Sequence, residues 1–289
     1  MPSGRLHIHT RPRLEKATLL LGFSGWMNGG EISTGTLQYL IDRLGAQQFA
    51  DIEPDGFYIN NFPGSMELTA LFRPPAKITD GLVTDLEMPS NNFFYDEDTE
   101  LIFFIGKEPN LQWHDFAEDI FSLCSEFNVN MIYFIGSVAG LVPHTRKPHL
   151  FCSVSDRRLK NRFEKYSLKF SNYEGPASII TYLTVNAKKH GLSMASIIAT
   201  IPAYVQGHNP KCIEAVTRWL AALLELDIDL EDLKEMSVDF EKKITKITKK
   251  QPELSENIAK LEEDYDNEVF DTEMPDLKNW LQEKGIRLD

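Results

Sequence analysis

ATLLLGFSGWMNGGEIST, residues 17–34, decides how the rest of the chain is read. An apolar run (17–23) leads into glycines at 22, 25, 29 and 30, and a helical pattern begins directly after them. A strand, a glycine-rich turn and a helix form the repeating unit of parallel sheets, and the turn is where such sheets often hold ligands. Neither G-x-x-x-x-G-K-[ST] nor G-x-G-x-x-G can be written on these glycines, so no phosphate fingerprint is present. Asn28 followed three residues later by Glu31 reads as a helix cap instead, and a carboxylate in a first turn repels phosphate. Gly29 and Gly30 are therefore expected to shape the strand–helix junction through their conformational freedom. Trp26 is either tucked over the sheet end or exposed, and an exposed Trp points to an interface or a ligand shelf.

The same alternation continues outward. LIFFIG (101–106), MIYFIG (131–136), HLFCSV (149–154) and ASIIATIP (195–202) are short apolar runs typical of strands buried on both faces. Helical periodicity lies between them. It runs from Glu31 to Gly45, repeats Trp113, Phe116, Ile120, Leu123 and Phe127, and recurs from Gly175 to Gly191, with Pro176 placed for the first turn. Residues 52–100 are less regular and read as short strands, some antiparallel, with exposed loops. Strand–helix alternation predicts an α/β fold, a mostly parallel mixed sheet between helices.

After Asn209 the pattern becomes helical. NPKCIEAVTRWLAALLEL is a long helix opened by an Asn–Pro cap. Apolar residues then recur at three- and four-residue steps from Leu230 to Ile247 and from Leu254 to Tyr265. Gln251-Pro252 separates the two runs into a helical hairpin. Lys242, Lys243, Lys246, Lys249 and Lys250 read as its solvated face, and MPDLKNWLQEKGIRLD predicts one more short helix. Residues 1–226 are expected to form the core domain and 227–289 an acidic helical extension. From Glu225 to Asp289 there are 20 acidic and 10 basic residues, so most of the net charge of −13 sits there.

That charge speaks against nucleic acid and anionic membrane surfaces as partners. No apolar stretch approaches the roughly 20 residues of a membrane span, and the first residues lack a signal peptide's apolar segment. Cys124, Cys152 and Cys212 are scattered and odd in number, which predicts a reducing cytoplasm and neither a disulfide framework nor a zinc knuckle. No metal site and no cofactor are expected.

Further candidates follow strands or open helices. Ser137 in G-S-V-A-G (136–140) is one position early for a nucleophile elbow and reads as a loop hydroxyl. His144 in P-H-T-R (143–146) titrates near neutral pH, and Arg146 suits a carboxylate or phosphate, or else pairs with a local acid. Glu174 in Y-E-G-P (173–176) caps a helix or faces a cleft, and Tyr204 stands in P-A-Y-V (202–205). Loops after parallel strands collect along one edge, where these residues and the 22–34 turn have the means to form a single cleft.

Taken in order, G-W-M-N-G-G-E, W-H-D-F, P-H-T-R, Y-E-G-P and P-A-Y-V with a following N-P resemble the second proteasome assembly chaperone family. The likeness is closest to its bacterial and archaeal branch with a helical C-terminal extension, and it covers roughly residues 17–250. The resemblance implies a three-layer α/β/α core similar to nucleoside phosphorylases and related hydrolases, and homo-oligomers, frequently trimers. It also implies a role in assembling another protein complex. Relatives dock into proteasomes through a hydrophobic–Tyr–X tail. Here Leu288 takes the Tyr position, so docking by that route is not expected.

Two readings follow. In the first the chain is a non-enzymatic, assembly-chaperone-like protein, with Trp26 and apolar loop residues at subunit contacts. In the second it is a small-molecule enzyme of ligase or hydrolase type, with Asn28, Glu31, Arg146, Glu174 and Tyr204 converging and an acid of displaced pKa among them.

Overall fold

The computed structural model describes residues 4–70, 72–164, 166 and 168–267. In chain order its elements are β1 (Leu6–Ile8), β2 (Thr18–Ser24), α1 (Ile32–Leu44), β3 (Gln47–Ile52), α2 (Met66–Ala70), β4 (Ala76–Thr79), β5 (Leu82–Leu86), β6 (Asn91–Asp96), β7 (Leu101–Lys107), α3 (Trp113–Glu126), β8 (Met131–Gly140), β9 (Leu150–Val154), α4 (Arg157–Phe163), β10 (Lys169–Phe170), α5 (Ile179–Ala187), β11 (Ser193–Pro202), α6 (Pro210–Leu223), α7 (Glu231–Thr248) and α8 (Pro252–Asp266). The short helix expected in the tail lies outside the described residues.

Among the described residues nine strands form one sheet, in the order β1-β3-β6-β7-β2-β8-β11-β9-β10. The apolar runs 17–23, 101–106, 131–136 and 195–202 supply its centre, where β7, β2, β8 and β11 are mutually parallel. β3, β6 and β9 run antiparallel to their inner neighbours, so the sheet is mixed, as the sequence predicts. Alternation along each strand divides the core in two. Leu19, Leu21, Phe23, Ile102, Phe104, Ile132 and Phe134 face α3 and α5. Leu20, Leu101, Phe103, Met131, Tyr133 and Ile135 face α1, α4 and α6. The result is three layers, helix–sheet–helix.

Two local expectations are corrected. Pro176 is not in the first turn of α5. Ser178 is the cap, with its hydroxyl accepting the Thr181 N–H at 3.4 Å, and the helix starts at Ile179. Glu174 does not cap it; the residue is exposed in the preceding loop. At α6 the sequence reading holds: Asn209 caps Cys212 N at 3.1 Å, with Pro210 in the first turn.

The irregular region is an excursion between β3 and β6. Phe57 is buried, but α2 has no buried residue and every position of the β4–β5 hairpin is exposed. The excursion returns at Asn91, level with Gly106, at the same end of the sheet as the carboxyl ends of β7 and β2. At the far end of the chain, α7 packs on α6 through Leu233, and α8 lies against α7 as the second arm of a hairpin.

Candidate functional site

The loops following β7, β2, β8 and β11 meet on one edge of the sheet. In the turn after β2, Gly30 has φ +64 and Glu31 has φ 60, two consecutive left-handed residues. They lengthen the approach to α1. Asn28 therefore caps across six residues, not three: its carbonyl oxygen accepts the Thr34 N–H at 3.1 Å and its amide donates to the Thr34 hydroxyl at 3.0 Å. Glu31 takes no part in that cap and turns outward to His208 Nδ1 at 2.9 Å.

The turn is filled from within the protein. Ser137 N–H donates to the Met27 carbonyl at 2.9 Å, and its hydroxyl to the Gly29 carbonyl at 2.6 Å. Asn209 N–H donates to the Gly30 carbonyl at 2.9 Å. A Cβ on Gly30 would lie 2.9 Å from the Cβ of Asn209. The two glycines thus join α1, β8 and the α6 cap.

His144, Thr145 and Arg146, in the loop after β8, point at the C-terminal helices. His144 is buried, with Nδ1 2.8 Å from the Tyr204 hydroxyl and Nε2 3.0 Å from the Thr245 hydroxyl of α7. The Tyr204 oxygen also accepts the His144 backbone N–H at 2.8 Å, so the hydroxyl is fixed by both the backbone and the ring of His144. Burial, helped by the Lys211 charge, holds His144 below the ordinary histidine value, so it is neutral at pH 7. Burial also raises the Tyr204 phenol.

Arg146 grips Asp266 of α8 in a two-pronged contact, Nε at 2.8 Å and Nη2 at 2.7 Å, with Glu262 3.8 Å away. Thr145 donates to Glu262, and Lys211 pairs with Glu241 of α7. Tyr265 donates to the Lys147 carbonyl at 3.0 Å while its ring stacks on His149 at 4.4 Å. Leu254, Ile258 and Leu261 cover Ala139, Leu141, Ala203 and Tyr204 at the carboxyl ends of β8 and β11.

The structure therefore brings His144, Arg146 and Tyr204 together, and their partners are the helical hairpin. Asn28, Gly29 and Gly30 form the separate turn, and Glu31 pairs with His208. Glu174 makes no hydrogen bond or ion pair among the described residues. Trp26 is 49% exposed. The Arg146 hydrogen bond holds the Asp266 carboxyl below its ordinary value, and the acid that burial raises is one the sequence reading passed over. Glu108, directly after β7, accepts the Trp26 N–H at 3.3 Å and the Ile179 N–H, and burial raises its carboxyl above the ordinary value. Its only trace in the sequence is its place at a strand end in the same layer as the glycine turn. Among the described residues no group of three or more His, Cys, Asp or Glu is arranged to hold a metal ion.

The family model that matches this chain is described as the PAC2 family, and it covers residues 22–248. The chain belongs to the PAC2 family. That match opens on the glycine turn and closes at the end of α7, so α8 and its clamp to Arg146 lie at or beyond its limit. A protein of unknown function from Mycobacterium tuberculosis, Rv2714, has the same fold at TM-score 0.80 and 20% identity, over 92% of this chain and 90% of that one. The proteasome-assembly chaperone homologue Rv2125 of the same organism gives TM-score 0.71 at 22% identity, over 83% and 99%. PbaB of Pyrococcus furiosus, an archaeal proteasome activator, gives 0.61 at 20%, over 84% and 97%. The search of curated proteins found no match. Among the described residues no helix is long and apolar enough to cross a membrane.

Proposed function

We propose that this PAC2-family chain is a non-enzymatic, protein-binding protein that works as a homo-oligomer and helps assemble or regulate another protein complex. The observation that carries this reading is the excursion between β3 and β6. Met66 is 85% exposed, Leu82 and Val83 are each 70% exposed, and Ile78, Leu86 and Met88 are also exposed. Among the described residues every position of β4 and β5 is exposed, and an isolated two-stranded hairpin is marginal in water. Large apolar side chains exposed together on one arm mark a protein interface. Burying each such side chain contributes about 1.5–3 kcal/mol, enough for a few of them to hold subunits together.

Other features agree. His144, Arg146 and Tyr204 are engaged by α7 and α8, which favours a structural role for them. Two of the similar folds belong to proteins described as a proteasome-assembly chaperone homologue and a proteasome activator. The trimer implied by the family resemblance is our expected assembly, and buried, unpaired cysteines suit a cytoplasmic setting. The test is the solution mass of the full chain and of a Leu82→Asp/Val83→Asp variant. Both positions are exposed, so the fold should survive and the assembly should not. An unchanged mass in the variant would remove the arm from the interface.

A further inference from the structure

The apolar face of α8 is seated on the edge of the core. Leu254, Ile258 and Leu261 share one cluster with Ala139 and Leu141, at the end of β8, and with Ala203 and Tyr204, after β11. α7 is anchored elsewhere, through Leu233 against α6. Lys249, Lys250 and Gln251 join the two helices. Residues 254, 258, 261, 262, 265 and 266 fall at helical steps of three, four and one, so they lie on one face of α8. The last three meet the loop after β8: Glu262 at Thr145, Asp266 at Arg146, and Tyr265 at Lys147 and His149.

The seat is loose. Three buried apolar side chains stand against the entropy of ordering a helix that is too short to be stable alone in water. The ion pairs are wet, with the Asp266 side chain 53% exposed, and wet pairs hold little. A cavity of about 240 Å³, partly open to solvent, lies between the 142–148 loop, Pro202, the start of α6 and Phe240 of α7, so the hairpin is not packed tightly there. One carboxylate oxygen of Asp264 on α8 is buried with no hydrogen-bond partner among the described residues. A buried oxygen without a partner disfavours the seated position. The family match, residues 22–248, contains the strands and loop that form the seat but stops before α8.

We propose that this edge is a docking groove for an acidic amphipathic helix of a protein partner, and that α8 is the built-in competitor that occupies it at rest. The apolar floor of Ala139, Leu141, Ala203 and Tyr204 takes side chains spaced four and three apart, as α8 supplies them. Arg146 takes carboxylates one and five positions further on, and a fork of this kind fixes the register of the incoming helix. The proposal rests on the reading of the chain as a protein-binding protein but not on its oligomeric state. The mass of the arm variant tests the one and a peptide tests the other.

The probe is a fluorescein-labelled peptide of residues 250–267, read by anisotropy against the full chain. A Glu262→Lys/Asp266→Lys chain sets two cations against Arg146 and unseats its own α8, while the apolar residues stay as they are. It should bind the peptide at least about ten-fold more tightly than the wild-type chain does, because a larger fraction of its grooves is open. Adding Arg146→Ala to that chain should weaken the peptide by about ten-fold. A peptide carrying Ile258→Asp should not bind. If the charge-reversed chain does not fold, hydrogen exchange of the wild type decides: the amides of α8 should exchange at least about ten-fold faster than those of α6. No peptide binding to the folded charge-reversed chain, equal binding of the Ile258→Asp peptide, or α8 amides as protected as those of α6 would overturn the proposal. So would a fall in solution mass when the peptide is added to the wild type, which would give the groove to the α8 of a second copy.

Discussion

Replacing Gly30 by Ala should destabilise the fold more than the same change at Gly45, and the difference measures the packing of the glycine turn. Both residues have left-handed backbones, φ +64 and φ +71. A side chain in that region costs about 1–2 kcal/mol at either site. Only Gly30 is crowded: its added Cβ would meet the Asn209 Cβ at 2.9 Å, whereas nothing lies within 4 Å at Gly45. Asn209 has little freedom to move away, because its N–H donates to the Gly30 carbonyl and its side chain caps α6. Overpacking of that kind costs about a further 1–3 kcal/mol. Gly45→Ala should therefore lose about 1–2 kcal/mol and Gly30→Ala about 2–5 kcal/mol. The gap corresponds to a separation in Tm of at least about 2 °C for a chain of this size. Thermal and urea unfolding of the two variants beside the wild type measure it. Equal losses at the two sites would refute the idea that the turn is a packed seam between α1 and the α6 cap.

The clamp on the C-terminal helices makes two further predictions. The unfolded-state histidine value is about 6.5, and His144 is held below it by burial and by Lys211, with Glu241 and Glu262 acting the other way. Its contribution is present above that value and is lost as pH falls through the lowered folded-state value, because the unfolded chain then binds the extra proton. His144→Gln should flatten the fall in Tm between pH 7.5 and 5.5, and an unchanged slope would show that His144 does not carry it. Arg146→Ala removes a largely exposed contact and should cost about 1 kcal/mol or less in global stability. It should still raise tryptic cleavage after Lys260 by up to about five-fold through local opening of α8, and wild-type cleavage rates would argue against the clamp.

The central strands were legible because they are buried on both faces, so 17–23, 101–106 and 131–136 show unbroken apolar runs. α6 was legible because its Asn–Pro start is a local signal. α5 was placed three residues early because Pro176 resembles a first-turn proline, while Ser178 and Thr181 form a reciprocal cap without a Glu. The arm gave only short strands and loops because it buries none of its helix or hairpin residues, and burial is what imposes a period. The site was harder to read still. Arg146 and Asp266 are 120 residues apart, and the contacts of His144 and Thr145 cross similar gaps. The main partners of Glu108 are backbone N–H groups, which any residue type supplies, so no sequence pattern announces it.

The most direct test of the account is the mass of the full chain in solution, by light scattering behind size-exclusion chromatography at tens of micromolar. The chain weighs 33.0 kDa. The account predicts a mass near three times that value for the wild type, falling to a single chain in the Leu82→Asp/Val83→Asp variant while its Tm stays unchanged. A wild-type mass of one chain would contradict it, because no second copy would then cover the apolar arm.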